Sequence, residues 1–358
     1  MLRKLLLIFS LTGCFLKTDA QFVTAYVDYR NYFYVFNMAP QQVESAAVRE
    51  YEIAGNCVGY INTANELRAW YNGEKFKLGE GLNAILAANG NMLYYTRDNA
   101  LFVIDKGNVI PLSYFMAEFK AGDNIIAFKD ARIDLLKVYY KGEVQELEYT
   151  LVSKLGVYEV GDNVVGFING SHEFKAFCEG ETYELSTWEP AEFLCGKDMV
   201  AFVDGSTRQL NIFNKEKIIK LENFPPISMK MGDNIFAYVS DEEALKVYTF
   251  GKLLKLESFK PDFYEVKDNI LVFFTENKFQ LLFDGTRYEL EQFQPKNYQI
   301  SNNNMAYVDI YGRLKFFDNG KTTIVTTEAV EGYELNGNIL KYNVTNGTPK
   351  VYWNGKSY

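Results

Sequence analysis

Forty-six acidic residues and a single histidine, His172, bound the chemistry open to this chain of 358 residues. Nucleophile activation, much acid–base catalysis and most zinc sites draw on histidine, so those classes shrink at once. Carboxylate pairs remain, because hydrolysis of a glycosidic bond needs only an acid and a second Asp or Glu as base or nucleophile. The carboxylates recur at fixed spacing, however, among them Asp123, Asp162, Asp233 and Asp268. Repetition marks a structural role; the other reading gathers these groups and their Asn neighbours at one end of the molecule to meet a cation or sugar hydroxyls. His172 lies in the polar stretch Asn169-Gly170-Ser171-His172-Glu173 and reads as an incidental loop residue. The sequence holds no nucleophile elbow, phosphate loop, metal-binding His pair or calcium loop, so no catalytic, cofactor-binding or metal-binding residue is assigned.

Cysteine usage is equally spare. Cys57, Cys178 and Cys195 are odd in number and form no Cys-x-x-Cys pair, too few for a disulfide scaffold and wrongly spaced for zinc. Cys178 and Cys195 are near enough in sequence to pair, but both fall where other repeats carry ordinary strand residues, and small buried thiols are expected. Residues 1–20 have the form of a signal peptide: Arg3 and Lys4, an apolar run over 5–16, then Thr18 and Ala20 ahead of a cut before Gln21. Leu11-Thr12-Gly13-Cys14 resembles a lipobox, which would instead leave Cys14 as an acylated N-terminus. Loss of Arg3, Lys4, Lys17 and Asp19 would move the net charge from −9 to −11. That balance, with no basic run of five, excludes a nucleic-acid partner. No later apolar run approaches the ~18 residues that span a bilayer.

The elements that must position these residues come from a repeat. Tyr158-Glu159-Val160-Gly161-Asp162-Asn163 has counterparts at Met229-Lys230-Met231-Gly232-Asp233-Asn234 and Tyr264-Glu265-Val266-Lys267-Asp268-Asn269. The last position of this hexamer recurs at Asn56, Asn91, Asn124, Asn163, Asp198, Asn234, Asn269, Asn304 and Asn338, at intervals of 33 to 39 residues. Each unit divides into four short strands. The first ends in the Gly-Asp-Asn turn, where Gly and Asn are expected to supply positive φ. The second is an apolar run such as Ile235-Phe236-Ala237-Tyr238-Val239. A small residue precedes its aromatic, as at Ala25, Gly59, Ala127, Gly166, Ala201 and Ala306, leaving room for a ring from the next unit. A polar link leads to a third strand such as Leu245-Lys246-Val247-Tyr248, closed by a turn such as Asp284-Gly285. The fourth ends in Leu-Glu (Leu147-Glu148, Leu221-Glu222, Leu256-Glu257, Leu290-Glu291) before an irregular exit.

Charged and polar residues keep the same register: Glu52, Lys120, Glu159, Lys230, Glu265, Gln299 and Glu334 in first strands, Arg68, Lys137, Lys175, Lys246, Lys315 and Lys350 in third strands. Opposite charges are expected to pair within or across units. The sharper alternative lines a central channel with the first-strand Glu residues as an acidic ring.

A four-stranded antiparallel meander with a longer exit resembles the blade of a β-propeller, an architecture shared with WD40-type proteins, over residues 21–358. No Trp-Asp dipeptide or opening Gly-His pair occurs, so the resemblance is architectural and implies no functional residue. The chain begins at a second-type strand and stops after a third-type one, placing eight full units between two partial ones, about ten blades and 38 strands. An all-β ring of ten blades, one domain over 21–358, is the expected fold; an open superhelical stack is the alternative. Sialidase-type boxes do not occur, and Trp70, Trp188 and Trp353 share no common context such as quinone-dependent propellers use. Even spacing leaves individual surface only at residues 38–48 and 149–155. The expected function is an exported, non-enzymatic recognition or scaffolding module of the cell envelope, periplasmic, extracellular or lipid-anchored through Cys14. Its ligand would be a protein or glycan, with no cofactor. The alternative is a carbohydrate-active enzyme with an Asp/Glu pair near the channel.

Overall fold

The computed structural model describes residues 22–151, 157–214, 217–345 and 349–358. Residues 1–20, read above as a signal peptide and including Cys14, as well as Gln21 and residues 152–155 of one individual stretch, lie outside these. Among the described residues 39 strands form ten antiparallel sheets, each from one contiguous run of chain and each ordered as the chain runs. We number these blades 1 (24–44), 2 (50–80), 3 (85–113), 4 (116–149), 5 (158–186), 6 (192–222), 7 (228–257), 8 (263–291), 9 (298–326) and 10 (330–357). Nine have four strands; blade 1 has three among the described residues, which include no first, innermost strand for it. The sequence count fell one strand short because the fourth strand of blade 10, Lys356–Ser357, has two residues and so no readable alternation.

The second strands are the most apolar, and Val164–Ile168, Met199–Val203 and Ile235–Val239 are buried along their whole length. Burial on both faces follows from position, because each blade packs against a neighbour on either side. Ten apolar clusters result, one per joint, such as Leu271 and Phe273 of blade 8 against Val247 of blade 7. The tenth cluster closes the ring: Phe36 of blade 1 meets Ile339 and Val351 of blade 10, with Trp353 edge-on to the Phe36 ring at 6.2 Å. The array is therefore a closed ring and not an open stack.

The small residue of the second strand has its expected use. A Cβ on Gly166 would lie 3.1 Å from the Phe193 ring of blade 6, and one on Gly59 would lie 2.9 Å from Leu93 of blade 3. In blade 10 this position is Lys341, which faces blade 1. No described residue forms an inner strand there, and Lys341 reaches across. Its Nζ donates to Ala25 O (3.1 Å) and to the Tyr51 hydroxyl of blade 2 (3.0 Å), and pairs with Glu334. Asn336 Nδ2 donates to Val23 O at 2.7 Å, so side chains of the last blade satisfy carbonyls that an inner strand would otherwise meet.

The first-to-second turns correct the expected role of glycine. Gly122, Gly161, Gly196 and Gly232 do not have positive φ. They are required because successive blades touch there: a Cβ on Gly161 would lie 1.8 Å from Gly196 O, and one on Gly122 1.7 Å from Gly161 O. In the first-to-second turns of other blades the expected positive φ is found, at Gly55, Gly90, Asp268 and Gly337.

Candidate functional site

An antiparallel meander sends its first-to-second and third-to-fourth turns to one end of the ring, the turn pole. The second-to-third links and the crossings between blades go to the other, the crossing pole. The turn pole is closed by its own bonding. Backbone bonds run from Asn124 N to Asp162 O (2.9 Å), Asp162 N to Gly196 O (2.9 Å), Lys197 N to Asp233 O (2.8 Å) and Asp233 N to Asp268 O (2.6 Å). An amide relay lies over them: Asn91 donates to Asn124, Asn124 to Asn163 and Asn163 to Asp198, at 2.9 to 3.0 Å. Asn269 passes its bond to Asn303 and not to the repeat position Asn304, because Asn302 and Asn303 both take positive φ and Asn304 is turned inward.

The four turn aspartates do gather at this pole. Burial, then the charges of Asp233 and Asp268, push the Asp123 carboxyl up to about 6. Burial and Asp233 raise Asp162, which is also hydrogen-bonded to Asp233, and the same causes raise Asp268. Asp123, Asp233 and Asp268 share one cavity of about 180 Å³ with Phe22 and Ile53, residues from opposite sides of the ring, so the channel is narrow here. Among the described residues no group of three or more His, Cys, Asp or Glu side chains is placed to hold a metal ion.

The expected charge ladder exists with a different carboxylate. At Arg68, Lys175, Lys246 and Lys315 the third-strand cation pairs with a Glu near the end of the preceding blade's fourth strand, joined by a second-strand Tyr at all but Lys175. Lys137 pairs instead with Glu146 of its own blade. Glu222 accepts from Tyr238 Oη (2.7 Å) and Lys246 Nζ (2.6 Å). Glu44 accepts from Tyr60 (2.8 Å) and Arg68 (3.0 Å), and Glu291 holds Tyr307 and Lys315 in the same way. Burial and the carboxylate push all three tyrosines well above the usual phenol range. Where the cation position is Gln280, Arg287 of the next strand reaches Glu257 instead, at 2.6 Å. Inner-strand residues form no acidic ring: Lys120 pairs with Glu159 (2.8 Å), Glu265 accepts from Tyr298, and Gln299 bonds the backbone of blade 10 at Tyr333 O and Leu335 N.

Cys57, Cys178 and Cys195 are free thiols. Burial pushes Cys195 up to about 12, and its Sγ donates to Glu159 O at 3.4 Å across a joint, the setting of an inert packing residue. His172 contacts Glu189 on the exposed side of the link.

The crossing pole is open. A cleft of about 980 Å³ lies at the mouth of the channel between blades 8, 9 and 10. Its floor is Glu265, Tyr298, Gln299 and Tyr333 from inner strands; its rim is Gln294, Lys296 and Asn297 from the crossing into blade 9 and Asp309 from a link. It exists because that crossing, 292–297, has six residues while the next, 327–329, has three. Glu331 lines the low side thus exposed. Asp309 is spent on structure: it caps the Tyr311 and Arg313 N–H groups and pairs with Arg313 (2.7 Å) and Lys315 (3.1 Å). The Tyr333 hydroxyl is buried with no partner among the described residues, and burial pushes it up to about 12. A second cavity of about 270 Å³ shares Glu265, Tyr298 and Gln299 with the cleft and continues to Lys267 and Ser301 near the turn pole.

The sequence pointed elsewhere for individual surface. Residues 38–48 are largely the outer strand of blade 1, Ala39–Glu44, irregular in sequence but not in structure. The cleft escaped because the unequal crossings on either side of blade 9 barely alter the repeat interval. Its available signal was the polar run Gln292-Phe293-Gln294-Pro295-Lys296-Asn297. A second signal was the apolar residue in successive crossings: Trp188, Phe224, Phe259 and Phe293 stand 41 to 63% exposed.

No curated protein matches the chain. Similar solved structures include the computationally designed Ika8 protein (17% identity, 75% of this chain and 95% of that one, TM-score 0.36). The CRINKLY WD40 ectodomain of the Arabidopsis thaliana receptor kinase ACR4 is another (10%, 66% and 98%, TM-score 0.37). PorZ of Porphyromonas gingivalis, a surface component of its type-IX secretion system, matches 92% of this chain and 56% of its own at 10% identity and TM-score 0.30. The profile of the 10-bladed β-propeller domain matches residues 17–358, nearly the whole sequence, and the chain belongs to that family.

Proposed function

We propose that this propeller is an exported, non-enzymatic recognition or scaffolding module of the cell envelope, and that the crossing pole is its binding face. The observation that carries the reading is the cleft at the channel mouth, whose size and convergent polar groups suit a ligand while the opposite pole is closed by its own hydrogen bonds. Export is supported by the signal-like segment 1–20, and attachment through Cys14 is the anchored form of the same reading. Among the described residues no helix is long and apolar enough to cross a membrane. The enzymatic alternative draws on Glu265 and Glu331, which line the same cleft.

The test is retention of envelope material by immobilised protein, with the cleft substituted at Gln294→Ala, Glu331→Ala and Tyr333→Phe together. Loss of retention by this variant supports the reading; unchanged retention overturns it. Turnover of an added oligosaccharide that disappears in Glu265→Gln would instead establish the enzyme. The mass of the mature N-terminus, beginning at Cys14 or at Gln21, decides the form of export, and an uncleaved Met1 refutes both.

A further inference from the structure

The crossing pole carries a more specific assignment, which rests on its being the recognition face. We infer that the cleft and the crossing aromatics leading to it form a track for a neutral polysaccharide.

The polar lining is the first argument. Gln294 and Asn297 bring amides that donate and accept at once, while Gln299 is held by the backbone of blade 10 and the Tyr298 hydroxyl by Glu265. The Tyr333 hydroxyl is buried and unsatisfied among the described residues, a cost that a ligand able both to donate and to accept would relieve. Sugar hydroxyls do both.

Charge is the second. Arg313 and Lys315 neutralise Asp309, leaving Glu265 and Glu331 against Lys296. The cleft is therefore acidic on balance, and a uronate, phosphate or sulfate polymer meets like charge there. A neutral polyol does not.

The third argument is the approach. Trp188, Phe224, Phe259 and Phe293 occupy the same place in four successive crossings, three residues past a Leu of the outer strand, and the last adjoins the cleft rim at Gln294. A protein partner's anchors gain most where aromatics close into desolvated pockets. Open rings repeated once per blade suit the C–H-bearing face of a sugar ring lying on the electron-rich aromatic face, and their repetition suits a polymer.

Calorimetric titration of the purified protein with short and long neutral gluco-, manno- and xylo-oligosaccharides tests this, with an oligogalacturonate and a Lys-rich peptide as controls. At least one neutral series is expected to bind, more tightly as it lengthens, and the oligogalacturonate is expected not to bind. Tyr333→Phe should weaken short and long chains alike by about 5- to 10-fold. Trp188→Ala should weaken only the long ones, with thermal unfolding unchanged as the check on folding. Absence of binding by every neutral series overturns the assignment, as does equal binding of the oligogalacturonate or affinity independent of length. Binding of the Lys-rich peptide alone, lost in Tyr333→Phe, overturns the polysaccharide while leaving the recognition face in place. That face falls only if envelope retention ignores the cleft.

Discussion

At the turn pole, neighbouring blades touch backbone to backbone, and the side chains there bond to one another until little is left to offer. At the crossing pole the same number of chain connections leaves rings standing in solvent and a cleft with an unsatisfied hydroxyl. The difference follows from connection geometry. Tight turns near the axis crowd together and must satisfy each other, whereas crossings span from the outer to the inner strand and have side chains to spare. Rigidity and recognition are thus divided between two ends of one ring.

Breaking the turn pole should have the largest effect. Gly161→Ala sets a methyl 1.8 Å from Gly196 O, backbone that cannot yield, and should cost about 3 kcal/mol or more in denaturant unfolding. A loss below about 1 kcal/mol would mean that the blades do not touch there. The joints between the poles come next. Glu222→Ala strands Lys246 and Tyr238, both mostly buried, for an expected loss of about 2 kcal/mol. Tyr238→Phe should cost less than Glu222→Ala, since the ion pair survives.

Asp123→Asn should stabilise, and only above a definite pH. The folded carboxyl titrates at about 6, above the unfolded value near 4, so the unfolded chain ionises first and stability falls as pH rises between the two. The variant should match the parent below pH 4 and exceed it by about 1 kcal/mol above pH 6, after allowance for solvent screening. Unfolding curves at both ends of that window check the sign; a destabilised variant at neutral pH would show the aspartate to be needed ionised. The smallest effect on stability belongs to the crossing pole, where Phe224→Asn should change it by no more than about 0.5 kcal/mol.

Much of this was legible in the sequence, because a repeat states its period directly. Ten units, their four-strand order and the small residue of the second strand could all be read from spacing. What spacing does not carry is which neighbour a residue meets. The Gly of Gly-Asp-Asn reads as a residue of turn conformation when its cause is contact with the next blade. Glu222 and Glu291 read as the end of a strand when they bind two side chains of the following blade. Lys341 makes sense only once its bonds to Ala25 and Tyr51 across the closing joint are seen. The cleft arises from a long and a short crossing on either side of blade 9, whose difference the earlier start of Val330–Asn336 absorbs.

Phe224 and Phe250 supply the most direct test of the division of labour. They are exposed to the same degree, 62% and 63%, one in a crossing and the other in a third-to-fourth turn. Each is replaced by Asn, and binding of the neutral oligosaccharide or envelope fraction retained by the parent protein is measured. The account predicts weakened binding for Phe224→Asn and parent-like binding for Phe250→Asn. Weakened binding for Phe250→Asn, with Phe224→Asn unaffected, would contradict it.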